Sequence, residues 1–271
     1  MTDLRVTAFF GCLIQAFVIN RAPPGLVPWL FLAQTIAPLY DHHTVKWHSR
    51  QRLLDALIQG SLHASTLVLP VIAFWINPRT AAGGNLTIAK SLAPLVALAL
   101  HPFRGTTLSL IVAAIGASCT VISMGGANVV SVPAMLCLVA SCVAGVLLGM
   151  AQRRSQHGPC WTEMTLISVA ALLWTTSHGP VELSRAEVAG LGLHVALSVS
   201  VHRSMCQLFE SLSRDPVEIT AFLSVRRATT VMLEKWISAA PVHQSFAAGV
   251  VVASSFFVGR MTAVASPPKR Q

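Results

Sequence analysis

The feature that most constrains this chain is a succession of ten apolar runs, at about 6–19, 26–40, 53–75, 86–100, 106–124, 131–151, 163–179, 188–208, 217–236 and 242–260. Short clusters of Gly, Pro and charge divide them, among them Asn20-Arg21-Ala22-Pro23-Pro24-Gly25, Asn77-Pro78-Arg79, Gly125-Gly126, Gly179-Pro180 and Arg214-Asp215-Pro216. A bilayer-spanning helix takes about 20 apolar residues. Ten of them would use most of the 271 positions and leave no room for a soluble domain. The chain is 11% charged, against about 25% for an ordinary soluble domain. The expected fold is an all-α integral membrane protein with the lipid bilayer as its partner.

The basic residues sort along the chain. On the N-terminal tail, the even-numbered loops and the C-terminal end lie Arg5, Lys46, Arg50, Arg52, Arg104, Arg153, Arg154, Arg214, Arg260, Lys269 and Arg270, whereas the odd-numbered loops hold Arg21, Arg79 and Arg185. By the positive-inside rule this asymmetry places both termini in the cytosol and favours an even number of spans. The formal charge of +9 is then largely topological, and no basic and aromatic patch suggests nucleic acid.

Five cations remain: Lys90, Arg203, Arg226, Arg227 and Lys235. Lys235, at the end of the ninth run, can snorkel to the interface. The other four fall inside runs, where a Lys or Arg costs about 2.5–3.5 kcal/mol on insertion scales and generally faces a cavity or a partner. The segments offer few anions to pair with them: Glu210 and Glu218 lie near the ends of the eighth and ninth runs, and Glu234 beside Lys235. Cations without matching carboxylates imply an anionic ligand.

Several stretches resemble the triose-phosphate and nucleotide-sugar transporter family of the drug/metabolite transporter superfamily. Ile88-Ala89-Lys90-Ser91-Leu92-Ala93-Pro94 is similar to that family's Lys-Ala-Leu-Glu-Pro segment. Pro216 followed by Arg226-Arg227 is similar to its Pro-Leu-Thr and Lys-Arg segment, Ala247-Ala248-Gly249 through Arg260 to its closing helix, and Asn20-Arg21 to its Asn-Lys pair. The resemblance implies ten helices as two inverted five-helix repeats, residues 1–127 and 128–271, with a substrate site between the halves. It implies that Lys90 and Arg226-Arg227 approach one cavity. It also maps substrate-binding roles onto His63 and Thr66 in the third helix and onto Arg203, where relatives carry Tyr. Ala93 replaces a family Glu, and residues 77–84 look like an insertion.

The function implied is a secondary antiporter, not an enzyme. It would exchange a phosphorylated small-molecule anion, an organic phosphate or nucleotide-sugar, for phosphate or a nucleotide monophosphate by alternating access, without a cofactor or metal. Two other readings stand beside it: a family member that has lost transport and serves as a membrane partner, and an integral membrane enzyme acting on a lipid or lipid-linked sugar, for which only the Asp41-His42-His43 loop offers suitable groups. A homodimer is compatible with either membrane reading. His42, His43 and His48 lack the spaced Cys or carboxylate partners of a metal site. No Arg- and Ser-rich transit segment precedes the first run, so Golgi or ER is expected rather than a plastid envelope. Cys12, Cys119, Cys137, Cys142, Cys160 and Cys206 show no C-x-x-C spacing and are expected to be reduced packing residues. The small residues Gly116, Gly145, Gly149, Gly190 and Gly192 are expected to let helices approach closely.

Overall fold

In the computed structural model, residues 2–40, 50–78, 84–100, 106–125, 131–155, 160–179, 183–212 and 216–264 are described. Residues 41–49 with their three histidines, residues 79–83 of the expected insertion and residues 265–271 lie outside the described residues.

All described secondary structure is helical. The helices are α1 (Thr2–Arg21), α2 (Val27–Ile36), α3 (Arg50–Ile76), α4 (Asn85–Ser91), α5 (Ala93–Leu100), α6 (Thr107–Ser123), α7 (Val132–Arg154), α8 (Trp161–Ser177), α9 (Arg185–Leu212), α10 (Pro216–Ile237) and α11 (Val242–Val264); a short 3-10 turn, Ala37–Tyr40, follows α2. Each apolar run corresponds to one helix except the fourth, which breaks at Leu92 into α4 and α5. Pro94 explains the break: it has no N–H to give the carbonyl four residues back, that of Lys90, and its ring crowds that position.

Among the described residues, three helices are long and apolar enough to cross a membrane, at Gln51–Ile76, Val132–Arg154 and Val242–Met261, and the stretches Val6–Arg21, Val27–Leu39, Asn85–Leu100 and Thr107–Ser123 are shorter apolar helices. α10 falls outside both groups although it has 22 residues, because Glu218, Arg226, Arg227, Glu234 and Lys235 all lie on it. Large apolar side chains nevertheless cover much of the outer surface, among them Trp174, Leu193, Trp236 and Phe246. Water does not favour an apolar exterior of this extent, and the surface is compatible with a membrane protein.

The core draws on most helices, with Phe31, Phe74, Ile88, Leu138 and Leu172 fully enclosed. α3 packs along α7 and α8, α6 along α11, α10 along α11, α1 along α9, and α2 against α8 and α9. Gly116 permits the α6–α11 approach, since a Cβ there would stand 2.7 Å from the Ser254 Cβ. The other small residues differ from expectation: a Cβ on Gly145 would make only an ordinary contact with Thr66, and Gly149, Gly190 and Gly192 have nothing within 4 Å. α9 begins with a capping box the sequence reading missed, in which Ser184 N–H donates to Glu187 Oε2 at 2.7 Å and Glu187 N–H to Ser184 Oγ at 3.3 Å.

One charged residue departs from its expected role, and another has a buried partner. Lys235 does not snorkel; it is 3% exposed, and its ammonium donates to the Ser123 carbonyl, 2.5 Å away, at the C-terminal end of α6. The helix end offers unsatisfied carbonyls and a negative dipole, which give a buried cation a partner. Arg52, assigned to the cytosolic face by charge, pairs at 3.3 Å with Glu163, which is almost fully buried. Asp55 accepts from Ser155 Oγ at 2.7 Å and Gln59 Oε1 from Cys160 N–H at 3.0 Å. These three α3 residues form a polar seam that ties α3 to the end of α7 and the start of α8. All six cysteines are free thiols.

Candidate functional site

Between α1, α2, α4 and α10 lies a cavity of about 200 Å³ whose lining includes Lys90, Arg226 and Arg227. α4 supplies Lys90 from its last turn, where the dipole of the broken helix favours a cation. α10 supplies the two arginines. The ammonium of Lys90 is accessible through the cavity and stands 5.8 Å from the centroid of the Phe31 ring. The three cations are near enough to repel one another.

The rest of the lining is neutral: Cys12, Gln15, Ala16, Ile19 and Asn20 from α1, Gln34 from α2, Leu86 and Thr87 from α4, and Thr230 from α10. No lining residue is acidic. Several polar groups are held in place by neighbours. Arg226 Nη1 donates to Cys12 Sγ at 3.1 Å and Gln15 Nε2 to Ser198 Oγ at 2.9 Å. Gln34 Nε2 and His194 Nε2 are 3.4 Å apart. A cluster of three cations among amide and hydroxyl side chains offers bidentate Arg donors, a compact ammonium and neutral donors, which suits an oxyanion with several acceptor oxygens.

Of the residues expected to bind substrate, the structure brings Lys90, Arg226 and Arg227 together although 136 positions of chain separate the first two. His63, Thr66 and Arg203 are not among the lining residues. His63 Nδ1 lies 2.7 Å from Ser168 Oγ, across the α3–α8 interface. Thr66 Oγ1 donates back to the His63 carbonyl at 2.7 Å, and the Thr66 carbonyl accepts from Ser141 Oγ of α7 at 3.0 Å. Arg203 is an exposed residue of α9. The sequence reading missed Cys12, Gln15, Gln34, Thr87 and Thr230. A usable signal existed, since Gln is costly inside an apolar run unless partnered, and Thr87 and Thr230 stand three and four residues from Lys90 and Arg226 on their own helices.

No metal-ligating cluster of His, Cys, Asp or Glu occurs among the described residues. Asn85, of the sequon Asn85-Leu86-Thr87, is 2% exposed, which leaves no room for a glycan. Neither a model of a known protein family nor a curated protein sequence matches the chain.

Proposed function

We propose that the chain is a secondary transporter that exchanges organic phosphates or nucleotide-sugars for phosphate or a nucleotide monophosphate by alternating access. The observation that carries this reading is the cavity in which Lys90, Arg226 and Arg227 converge with no carboxylate in the lining. Three cations in a confined space repel one another and are stabilised by a multivalent anion. The loaded cavity is then close to neutral and free to close, whereas the empty cavity retains a concentrated charge that opposes the same motion. Obligate exchange follows from that difference.

Ten spans in two inverted repeats, 1–127 and 128–271, give the cavity a mechanical frame. Counting α4 and α5 as one broken helix, packing pairs recur after a shift of five helices. α3 on α7 corresponds to α9 on α1, α3 on α8 to α9 on α2, and α5 on α6 to α10 on α11. The contacts of α2 with α8, α4 with α10 and α6 with α11 map onto themselves. An odd number of spans per repeat inverts the second copy relative to the first, and the broken fourth helix beside the cavity is the kind of discontinuity that transporters place at a substrate site. The positive-inside asymmetry favours cytosolic termini, and the membrane proposed is that of the Golgi or ER.

Counterflow in proteoliposomes tests the reading. Vesicles loaded with inorganic phosphate, triose phosphates, hexose phosphates, nucleoside monophosphates or nucleotide-sugars are expected to exchange at least one of them, and Lys90→Ala or Arg226→Ala to abolish that exchange. If the folded protein exchanges none of the panel, the transporter reading fails.

A further inference from the structure

Glu234 lies on α10 seven residues after Arg227 and four after Thr230, on the helix face that lines the cavity. It is 3% exposed, and its Oε1 is buried without a hydrogen-bond partner among the described residues. Asn20 of the cavity lining lies beside it and acts on the carboxylate through its side chain. On the other side is the start of α4. A Cβ on Gly84 would stand 3.2 Å from the Glu234 Cβ, and the next residue, Asn85, has a buried Oδ1 with no donor. Where α1, α4 and α10 meet, two acceptor oxygens therefore lack donors, one of them on a titratable group.

Arg21 of α1 exerts an attractive field on the Glu234 carboxylate. Lys235 turns away to the Ser123 carbonyl. The titratable side chains described on α11, His243 and Arg260, are exposed, Lys90 of α4 is in the cavity, and of α9 the histidine nearest the cavity, His194, is engaged with Gln34. Asn20 lines the cavity and lies against Glu234, so an anion that occupies the cavity adds negative charge against the residue that supports the carboxylate. Protonation of Glu234 and anion binding thus favour each other, and linkage makes the effect reciprocal.

We infer that Glu234 is a proton-binding site linked to the cavity, gaining a proton when an anion binds and losing it when the anion leaves. The inference rests on the anion-transport reading above. The O–H bond forms on the carboxylate from a solvent proton on the side to which the cavity opens. It breaks after the cavity has opened to the other side, so one proton moves with the anion.

The test uses the purified full-length chain in weakly buffered detergent with a pH indicator and inorganic phosphate as ligand. Phosphate's own titration is common to the wild type and Glu234→Gln and cancels in their difference. The wild type is expected to take up about one more proton per bound phosphate than Glu234→Gln, and its affinity to rise up to about tenfold more per unit fall in pH. Phosphate bound by both with the same proton uptake overturns the inference and leaves the transport reading standing. Failure of the folded wild type to bind phosphate or any anion of the panel removes both. A second readout needs no variant. Phosphate addition is expected to raise an infrared protonated-carboxyl band that shifts with labelled glutamate, and its absence overturns the inference even where Glu234→Gln does not fold.

Discussion

The ammonium of Lys235 on α10 donates to the main-chain carbonyl of Ser123, the last residue of α6, across a distance of 2.5 Å. It joins the helix that supplies two cavity cations to a helix that packs along α11. Lys235→Met keeps the apolar stem and removes the donor, leaving a buried helix-end carbonyl unpaired. A loss of about 1–3 kcal/mol is expected, read as a lower unfolding temperature in detergent with anion affinity retained. An unchanged unfolding temperature would show that this bond adds nothing to stability.

The Arg52–Glu163 pair has a different consequence. Glu163 is enclosed, while Arg52 is partly accessible, so the cost of breaking the pair depends on which partner is removed. Arg52→Met strands a buried carboxylate and is expected to cost about 3–5 kcal/mol. Arg52→Met with Glu163→Gln, which removes both charges, is expected to recover most of that. Denaturant unfolding of the four members of a double-mutant cycle measures the coupling, and additive losses would contradict it.

The cavity geometry separates two sets of residues that the family resemblance groups together. Lys90→Ala, Arg226→Ala and Arg227→Ala each remove a charged donor from the lining and are expected to weaken phosphate binding by about tenfold or more. Arg203→Ala and Thr66→Ala change residues outside the lining and are expected to retain ligand-induced thermal stabilisation. Loss of that stabilisation in Arg203→Ala would place the guanidinium in the anion path.

Gly116 and Gly149 provide a packing comparison within the apolar helices. A Cβ on Gly116 meets both Ser254 and Leu95 at close range, and one on Gly149 meets nothing. Gly116→Ala is expected to destabilise by about 1–3 kcal/mol as α11 is pushed outward, and Gly149→Ala to be neutral or slightly stabilising. Thermal unfolding of the two variants side by side tests this, and equal unfolding temperatures would remove the distinction.

Most helix positions were legible in the sequence because an apolar run bounded by Gly, Pro or charge has few other ways to satisfy its backbone. The break in the fourth run was not legible from Pro94 alone, since Pro70 stands inside the unbroken α3. Lys90, Arg226 and Arg227 were legible because a cation inside an apolar run is costly without a purpose. Gln15 and Gln34 were harder to find, since neutral amides interrupt an apolar run less sharply than charges do. Glu163 was missed because it begins its run and reads as a boundary residue; its burial depends on Arg52, 111 positions earlier in the chain.

Local chemistry along the chain was enough to determine an all-helical protein with too little charge for a water-facing surface, and to mark which cations needed a partner. The partners themselves were decided only in three dimensions. Hydropathy assigns each residue a cost for leaving water but does not identify the group that offsets it, which comes from a distant helix end, carboxylate or cavity. Lys235 and Lys90 carry the same charge and both lie on apolar helices. Tertiary packing directs one into the carbonyl of Ser123 and leaves the other facing a cavity with Arg226 and Arg227.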